Sequence, residues 1–161
     1  MHHTKSLWKR ISFILFLISF LLSSCCKKMT TWEIDPVFTP LPKYNFSKIF
    51  FPIQNEFDGI EVEIVKDSNE LQTYLVIHSI AIGKRNVMVT LTSGDDSIQY
   101  PSLVLKGGQK IVLPKDGTQQ LINWLLENRL VTISFERYKT TVANERFSNL
   151  YKELLEIPVA S

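Results

Sequence analysis

Short segments in which apolar and polar residues alternate dominate the middle of the chain. In Ile60-Glu61-Val62-Glu63-Ile64 every second side chain is apolar, which is the period of a strand with one face in a core and one in water. Similar segments, separated by turn residues, predict strands over residues 48–53, 60–64, 71–82, 87–92, 98–105, 111–113, 130–138 and 140–143. The paired glycines of Lys106-Gly107-Gly108-Gln109 predict a hairpin turn, because glycine adopts positive φ at little cost.

Two segments nearer the C-terminus have the period of a helix instead. Apolar residues recur every three or four positions from Leu121 to Leu126 and from Phe147 to Leu155. Asn128 is expected to end the first helix, and Asn144 to cap the second. The order of elements predicts an α+β fold, with an antiparallel β-sheet or sandwich and two amphipathic helices near the C-terminus.

A proline lies inside one predicted strand. Because proline has no N–H group for a sheet ladder, Pro101 is expected on an edge strand or at a bulge. An open edge of this kind is a place where a strand of another protein can pair.

The chain begins with an apolar segment of a different kind. Lys5, Lys9 and Arg10 precede an almost uninterrupted apolar run over residues 11–22. This run is shorter than the roughly 20 residues of a membrane-spanning helix, and it is typical of the core of a secretory signal peptide.

The end of that run, Leu22-Ser23-Ser24-Cys25, resembles the lipobox of bacterial lipoproteins. The resemblance implies that a lipid is attached to the Cys25 thiol, that the chain is cut just before it, and that the new amino group is acylated, for example with palmitate. Cys26 fits less well because Ser23 would then occupy the apolar position. An ordinary secretory signal and an uncleaved anchor are the alternatives.

The same resemblance implies a location and a domain organisation. We expect a lipid-anchored protein of the bacterial cell envelope, in the outer membrane rather than the inner one because no Asp follows Cys25. Residues 1–24 form the signal peptide, residues 25–47 the anchor and a tether containing Pro36, Pro40 and Pro42, and residues 48–161 a single β-rich domain.

Charge and cysteine content narrow the chemistry of that domain. Without Lys5, Lys9 and Arg10 the chain keeps 15 basic and 16 acidic residues, which gives no basic field for nucleic acid. Both cysteines lie at the anchor, so the domain has no internal disulfide and no cysteine nucleophile. The covalent lipid is the only cofactor expected.

The polar candidates of the domain are His78, Asp95 and Asp96. On strand alternation His78 shares a face with Tyr74 and Val76, where it is either a general base or metal ligand, or a half-buried structural histidine. Asp95 and Asp96 form an acidic turn that either collects a hard cation with other acids or is simply solvated.

Three functions follow from these features. The first is a non-catalytic binding, assembly or structural module with an unknown protein partner, held at the membrane by its lipid. The second is an envelope hydrolase or metal-dependent enzyme that uses His78 and the loop acids. The third is an exported chaperone or inhibitor that binds a partner strand at the edge expected at Pro101. No family motif identifies the domain itself.

Overall fold

An antiparallel β-sheet with two helices makes up the domain, which therefore has the α+β class expected. The computed structural model describes residues 30–37, 46–67 and 70–157, so Cys25 and the signal segment lie outside the described residues. In this part of the chain the strands are β1 (Glu33–Val37), β2 (Phe46–Phe51), β3 (Glu61–Asp67), β4 (Glu70–Val76), β5 (Asn86–Ser93), β6 (Asp96–Val104), β7 (Lys110–Val112), β8 (Val131–Phe135) and β9 (Tyr138–Val142). The helices are α1 (Lys115–Leu126) and α2 (Phe147–Glu156). The strands form one sheet of nine in the order β1-β2-β3-β4-β7-β6-β5-β8-β9.

The core lies on one face of this sheet. Alternate residues of each strand point into it, such as Val87, Val89 and Leu91 of β5, because successive side chains of a strand point to opposite faces. Helix α1 packs against β4, and α2 against β1 and β2. The helices add seven fully or nearly fully buried apolar side chains, namely Leu121, Ile122, Trp124, Leu125, Phe147, Leu150 and Leu154.

Residues close to the start of the described chain belong to the core, although they lie within the range 25–47 that was expected to hold the anchor and tether. Trp32 is fully buried, and its ring centroid lies 5.5 Å from that of Phe51 and 4.9 Å from that of Phe147. Strand β1 follows directly and pairs with β2. The prolines at 36, 40 and 42 suggested an extended spacer, but an edge strand also tolerates proline, and Pro36 lies in β1.

Pro101 lies inside the sheet, so the expectation of an edge strand there is wrong. Strand β6 lies between β7 and β5, and Pro101 pairs with Met88. Leu105 N donates to Lys110 O, so the odd-numbered N–H groups of β6 point toward β7. The pairing of β6 with β7 stops at Leu103, and the missing N–H of Pro101 therefore leaves no β7 carbonyl without its donor.

Two predicted strands are divided differently in the structure. The segment expected over 130–138 is a hairpin of β8 and β9, with the turn at Glu136, whose φ is 49°. The strand expected over 71–82 ends at Val76. Beyond it, Ile77 N donates to Gln109 O and Ile82 N to Gly108 O, so the chain crosses the β6–β7 turn instead of continuing in the sheet.

Asn128 ends α1 as the sequence predicts, whereas the predicted cap of α2 by Asn144 is wrong. Asn128 follows α1 with φ 61°, and Arg129 N donates to Trp124 O, which is a left-handed helix end of the kind that asparagine tolerates. Asn144 does not cap α2 through its side chain. Its carbonyl accepts from Phe147 N, while Arg146 takes the N-cap position with φ 64°.

The edge of β9 that does not pair with β8 is covered by residues that flank β1 and β2. Lys139 N donates to Asp58 O at 2.9 Å. Gln54 Nε2 donates to Thr141 O at 3.4 Å, and Trp32 Nε1 donates to Ala143 O at 2.7 Å. Residues from the start of the described chain and from the β2–β3 loop therefore lie along β9.

Candidate functional site

His78 and the two turn acids lie at opposite ends of the sheet. We call the loop end the group of residues 52–60, 77–85, 105–109 and 136–137, and the far end the turns at residues 94–95 and 127–130. His78 follows β4 at the loop end, beside the start of β5, whereas Asp95 lies in the turn after β5. An eight-residue strand spans roughly 23 Å, so these side chains do not form one site.

His78 has one charged neighbour. Its Nε2 lies 3.5 Å from Glu61 Oε2, and about half of its side chain is exposed. The pairing orients the imidazole toward the start of β3. No group of three or more His, Cys, Asp or Glu side chains among the described residues has a geometry that holds a metal ion.

Asp96 serves as an anchor for Arg129 at the far end. The Arg129 guanidinium contacts the Asp96 carboxylate, the Ser93 hydroxyl and the Ser93 carbonyl. It also lies 4.7 Å from the ring centroid of Trp124. These contacts join the β5–β6 turn to the end of α1, which is a structural role for the acid that the sequence singled out.

A buried carboxylate lies on the face of the sheet opposite the core. Glu63 on β3 is 6% exposed. Lys48 Nζ on β2 lies 2.7 Å from its Oε1, and Lys110 Nζ on β7 lies 2.6 Å from its Oε2. Lys110 also lies 4.4 Å from the ring centroid of Tyr74. The alternation at residues 60–64 suggested a solvated face here, but three strands bring these charges together.

The charges of this cluster hold each other ionised. Burial alone would raise the pKa of Glu63, but the hydrogen bonds and charges of Lys110 and Lys48 outweigh it and lower that pKa. Burial alone would lower the pKa of Lys48, and its hydrogen bond with Glu63 and the surrounding acids raise it instead. The cluster is therefore a set of paired charges that stay ionised at neutral pH.

The loop end contains an open groove of about 300 Å³. Residues 80–84 form one wall, and Glu136, Arg137 and Tyr138 form the other. Lys84 Nζ and Glu136 Oε1 lie 2.7 Å apart across it. The groove thus has an apolar floor and a charged rim.

Tyr138 fixes the position of the groove. Its hydroxyl donates to Ile80 O at 2.9 Å and accepts from Ser79 Oγ at 3.0 Å and from Arg137. Burial raises the pKa of Tyr138, but the hydrogen bonds from Ser79 and Arg137 and the charge of Arg137 outweigh it, so the net shift is downward. Gly108 supports the same segment, since a Cβ there would lie 2.7 Å from Ile82 O.

Two large apolar side chains at the loop end are exposed to solvent. Phe57 is 81% exposed and Ile80 is 73% exposed. The sequence did not distinguish them, because Ile80 was expected inside the strand over residues 71–82 and Phe57 lies outside the predicted strands. The segments that carry them are both joined to the start of β9, since Asp58 O accepts from Lys139 N and Ile80 O accepts from the Tyr138 hydroxyl.

The part of the chain that the structure describes has no helix of the length and apolarity needed to cross a bilayer. Comparison with known proteins gives no match to a family model, a curated protein or a solved structure.

Proposed function

We propose that this protein is a lipid-anchored, non-catalytic binding or assembly module of the bacterial cell envelope. The observation that carries the proposal is the segment Leu22-Ser23-Ser24-Cys25 after a short apolar run. Acylation of Cys25 would place the β-rich domain at a membrane, since two or more acyl chains anchor a protein stably.

The arrangement of charges in the domain favours binding over hydrolysis. Catalysis by paired acid and base groups requires them within hydrogen-bond reach of one substrate, and His78 is separated from Asp95 by the length of β5. Glu63 is engaged by Lys48 and Lys110. The exposed surface at the loop end consists instead of apolar side chains and a charged rim.

The test is the intact mass of the mature N-terminal peptide from the envelope fraction, with and without an inhibitor of the lipoprotein signal peptidase. We expect an acylated Cys25 that is lost with the inhibitor, and a Cys25→Ala chain that no longer carries lipid. A Cys25→Ala protein that is unlipidated and still fully membrane-bound would refute the anchor. Separation of the two membranes by density tests the outer-membrane location.

A hydrolase that uses His78 is the second candidate, and the Glu61–His78 contact at 3.5 Å is the observation in its favour. A carboxylate beside an imidazole is an arrangement that supports general base catalysis. His78→Ala should then abolish the cellular phenotype of the protein while its abundance is unchanged. An unchanged phenotype and metal content would remove this candidate.

We also propose the finer architecture, in which the sheet folds over so that its first strands, β1 and β2, face its last strand, β9, as in a sandwich. The three hydrogen bonds along β9 support it. The backbone N–H of Lys139 should exchange slowly with solvent, because it is hydrogen-bonded to the carbonyl of Asp58 rather than to water. Exchange at the rate of a free strand edge would refute the closure.

A further inference from the structure

We propose that the loop end lies on the surface of an anionic bilayer, with Phe57 and Ile80 inserted among the lipid headgroups. The inference rests on the proposed lipid anchor and adds an orientation to it. Its ligand is the lipid surface itself, and its site is the rim of the groove at residues 80–84 and 136–138.

The apolar part of this surface is concentrated. Phe57 and Ile80 are the two most exposed large apolar side chains among the described residues, at 81% and 73%. Both belong to segments bonded to the start of β9, since Asp58 O accepts from Lys139 N and Ile80 O accepts from Tyr138. Ile80 lies in the wall of the groove and Phe57 in the β2–β3 loop, both at the loop end, and exposed apolar side chains of this kind are what peripheral proteins bury at the acyl boundary.

Charge separates the two ends of the domain. Among the described residues, the loop end carries four basic side chains against three acidic ones: Lys84, Arg85, Lys106 and Arg137 against Glu56, Asp58 and Glu136. The far end carries Asp95 and Glu127 against Arg129, and the carboxylate of Asp96 follows at the start of β6. Anionic headgroups attract basic residues within about a Debye length, so the field of the membrane turns the loop end toward it.

The anchor reaches this end of the domain. Six residues lie between Cys25 and Trp32, and the seven Cα–Cα steps that join them span at most about 25 Å in extended chain. Strand β1 begins at Glu33, which pairs with Phe50 at the end of β2. The β2–β3 loop that carries Phe57 follows β2 directly, so the chain enters β1 at the loop end. The short connection therefore keeps Phe57 within reach of the bilayer that holds the lipid.

The test uses the full mature lipoprotein, reconstituted in vesicles that contain phosphatidylglycerol. A nitroxide is placed at Phe57→Cys or Ile80→Cys, in a Cys26→Ser background. Leu130→Cys is the matched control, since Leu130 is 62% exposed at the far end. The rate at which the nitroxide collides with dissolved oxygen is divided by the rate at which it collides with a water-soluble nickel complex. We expect this oxygen-to-nickel ratio to be several-fold higher at positions 57 and 80 than at position 130.

Charge variants test the electrostatic part. Arg85→Glu combined with Lys106→Glu should bring the ratio at position 57 close to the control value, as should vesicles of phosphatidylcholine alone. Lys115→Glu changes a side chain that is 87% exposed and lies outside the loop end. This substitution should leave the ratio unchanged. The label positions are solvent-exposed, so thermal midpoints should match that of the unlabelled protein.

The outcomes separate this inference from the anchor. Labels at 57 and 80 that remain as accessible to nickel as position 130, on vesicles holding the acylated protein, would overturn the orientation and leave the anchor in place. Wild-type protein that is recovered from the aqueous phase with an unmodified Cys25 would overturn both. Shielding seen in native envelopes and absent in vesicles would identify a protein as the occupant and overturn the lipid assignment.

Discussion

Glu63→Gln tests how much the charge cluster on the outer face stabilises the sheet. The Glu63 side chain is 8% exposed, while Lys48 is 21% and Lys110 is 40% exposed. A hydrogen bond to a charged group contributes about 1.5–3 kcal/mol, and the more exposed Lys110 pair is reduced by solvent toward about 1 kcal/mol or less. Glutamine keeps the shape and leaves both ammonium groups facing a neutral partner. We expect a loss of about 2–3 kcal/mol in the free energy of unfolding.

The assay is urea denaturation followed by the fluorescence of the buried tryptophans, with Glu61→Gln as the matched control. Glu61 lies two residues away on the same face of β3, and its carboxylate contacts His78 at 3.5 Å. Its loss should cost less than about 1 kcal/mol, as for an exposed pair. Equal effects of the two substitutions would refute the reasoning that burial makes the Glu63 pairs stronger.

The same cluster has a predictable pH dependence. The pKa of Glu63 is lower in the folded chain, so its stabilisation is complete above the ordinary glutamate value and is lost as the pH falls through the folded value. The pKa of Lys48 is raised, so its stabilisation is complete below the ordinary lysine value and is lost as the pH rises through the folded one. The difference in midpoint between the wild type and Glu63→Gln should therefore be largest near neutral pH. A difference that grows on acidification would contradict this.

Four further substitutions test three other sets of contacts. Trp32→Ala should destabilise the domain by about 3–5 kcal/mol in urea, whereas a spacer residue would cost nothing. Arg129→Ala should cost more than Asp96→Asn by thermal denaturation, because Arg129 also loses Ser93 and its Trp124 contact; equal costs would contradict this. Tyr138→Phe removes the hydrogen bond to Ile80 O and should cost about 1 kcal/mol, with faster amide exchange over residues 79–82 as its specific readout.

Local patterns predicted the local elements. Alternation over residues 60–64 and the turn glycines at 107–108 correspond to β3 and to the β6–β7 hairpin. Asn128 marked the end of α1 because the left-handed conformation there depends on a single residue. Each of these signals lies within a few positions of its effect.

Features that depend on strand order were not accessible in the same way. Lys48, Glu63 and Lys110 come from three strands, and β7 reaches β4 only because residues 77–109 return to it. Pro101 can lie on an interior strand because the pairing of β6 with β7 stops at Leu103, before it reaches the proline. Trp32 looked like part of a proline-containing spacer because its partners, Phe51 and Phe147, are far away in the sequence.

The bond from Trp32 to Ala143 spans 111 positions, and this has a consequence for how the chain acquires its structure. During synthesis the N-terminal strands emerge first, yet the residues that seal their edge emerge near the end. Contacts of such long sequence separation form late, because loop closure must precede them. Until then the indole and the apolar face of β2 remain uncovered, and such surfaces promote aggregation. A chain interrupted before Phe147 would thus be a substrate for holding chaperones and proteases rather than a smaller stable domain.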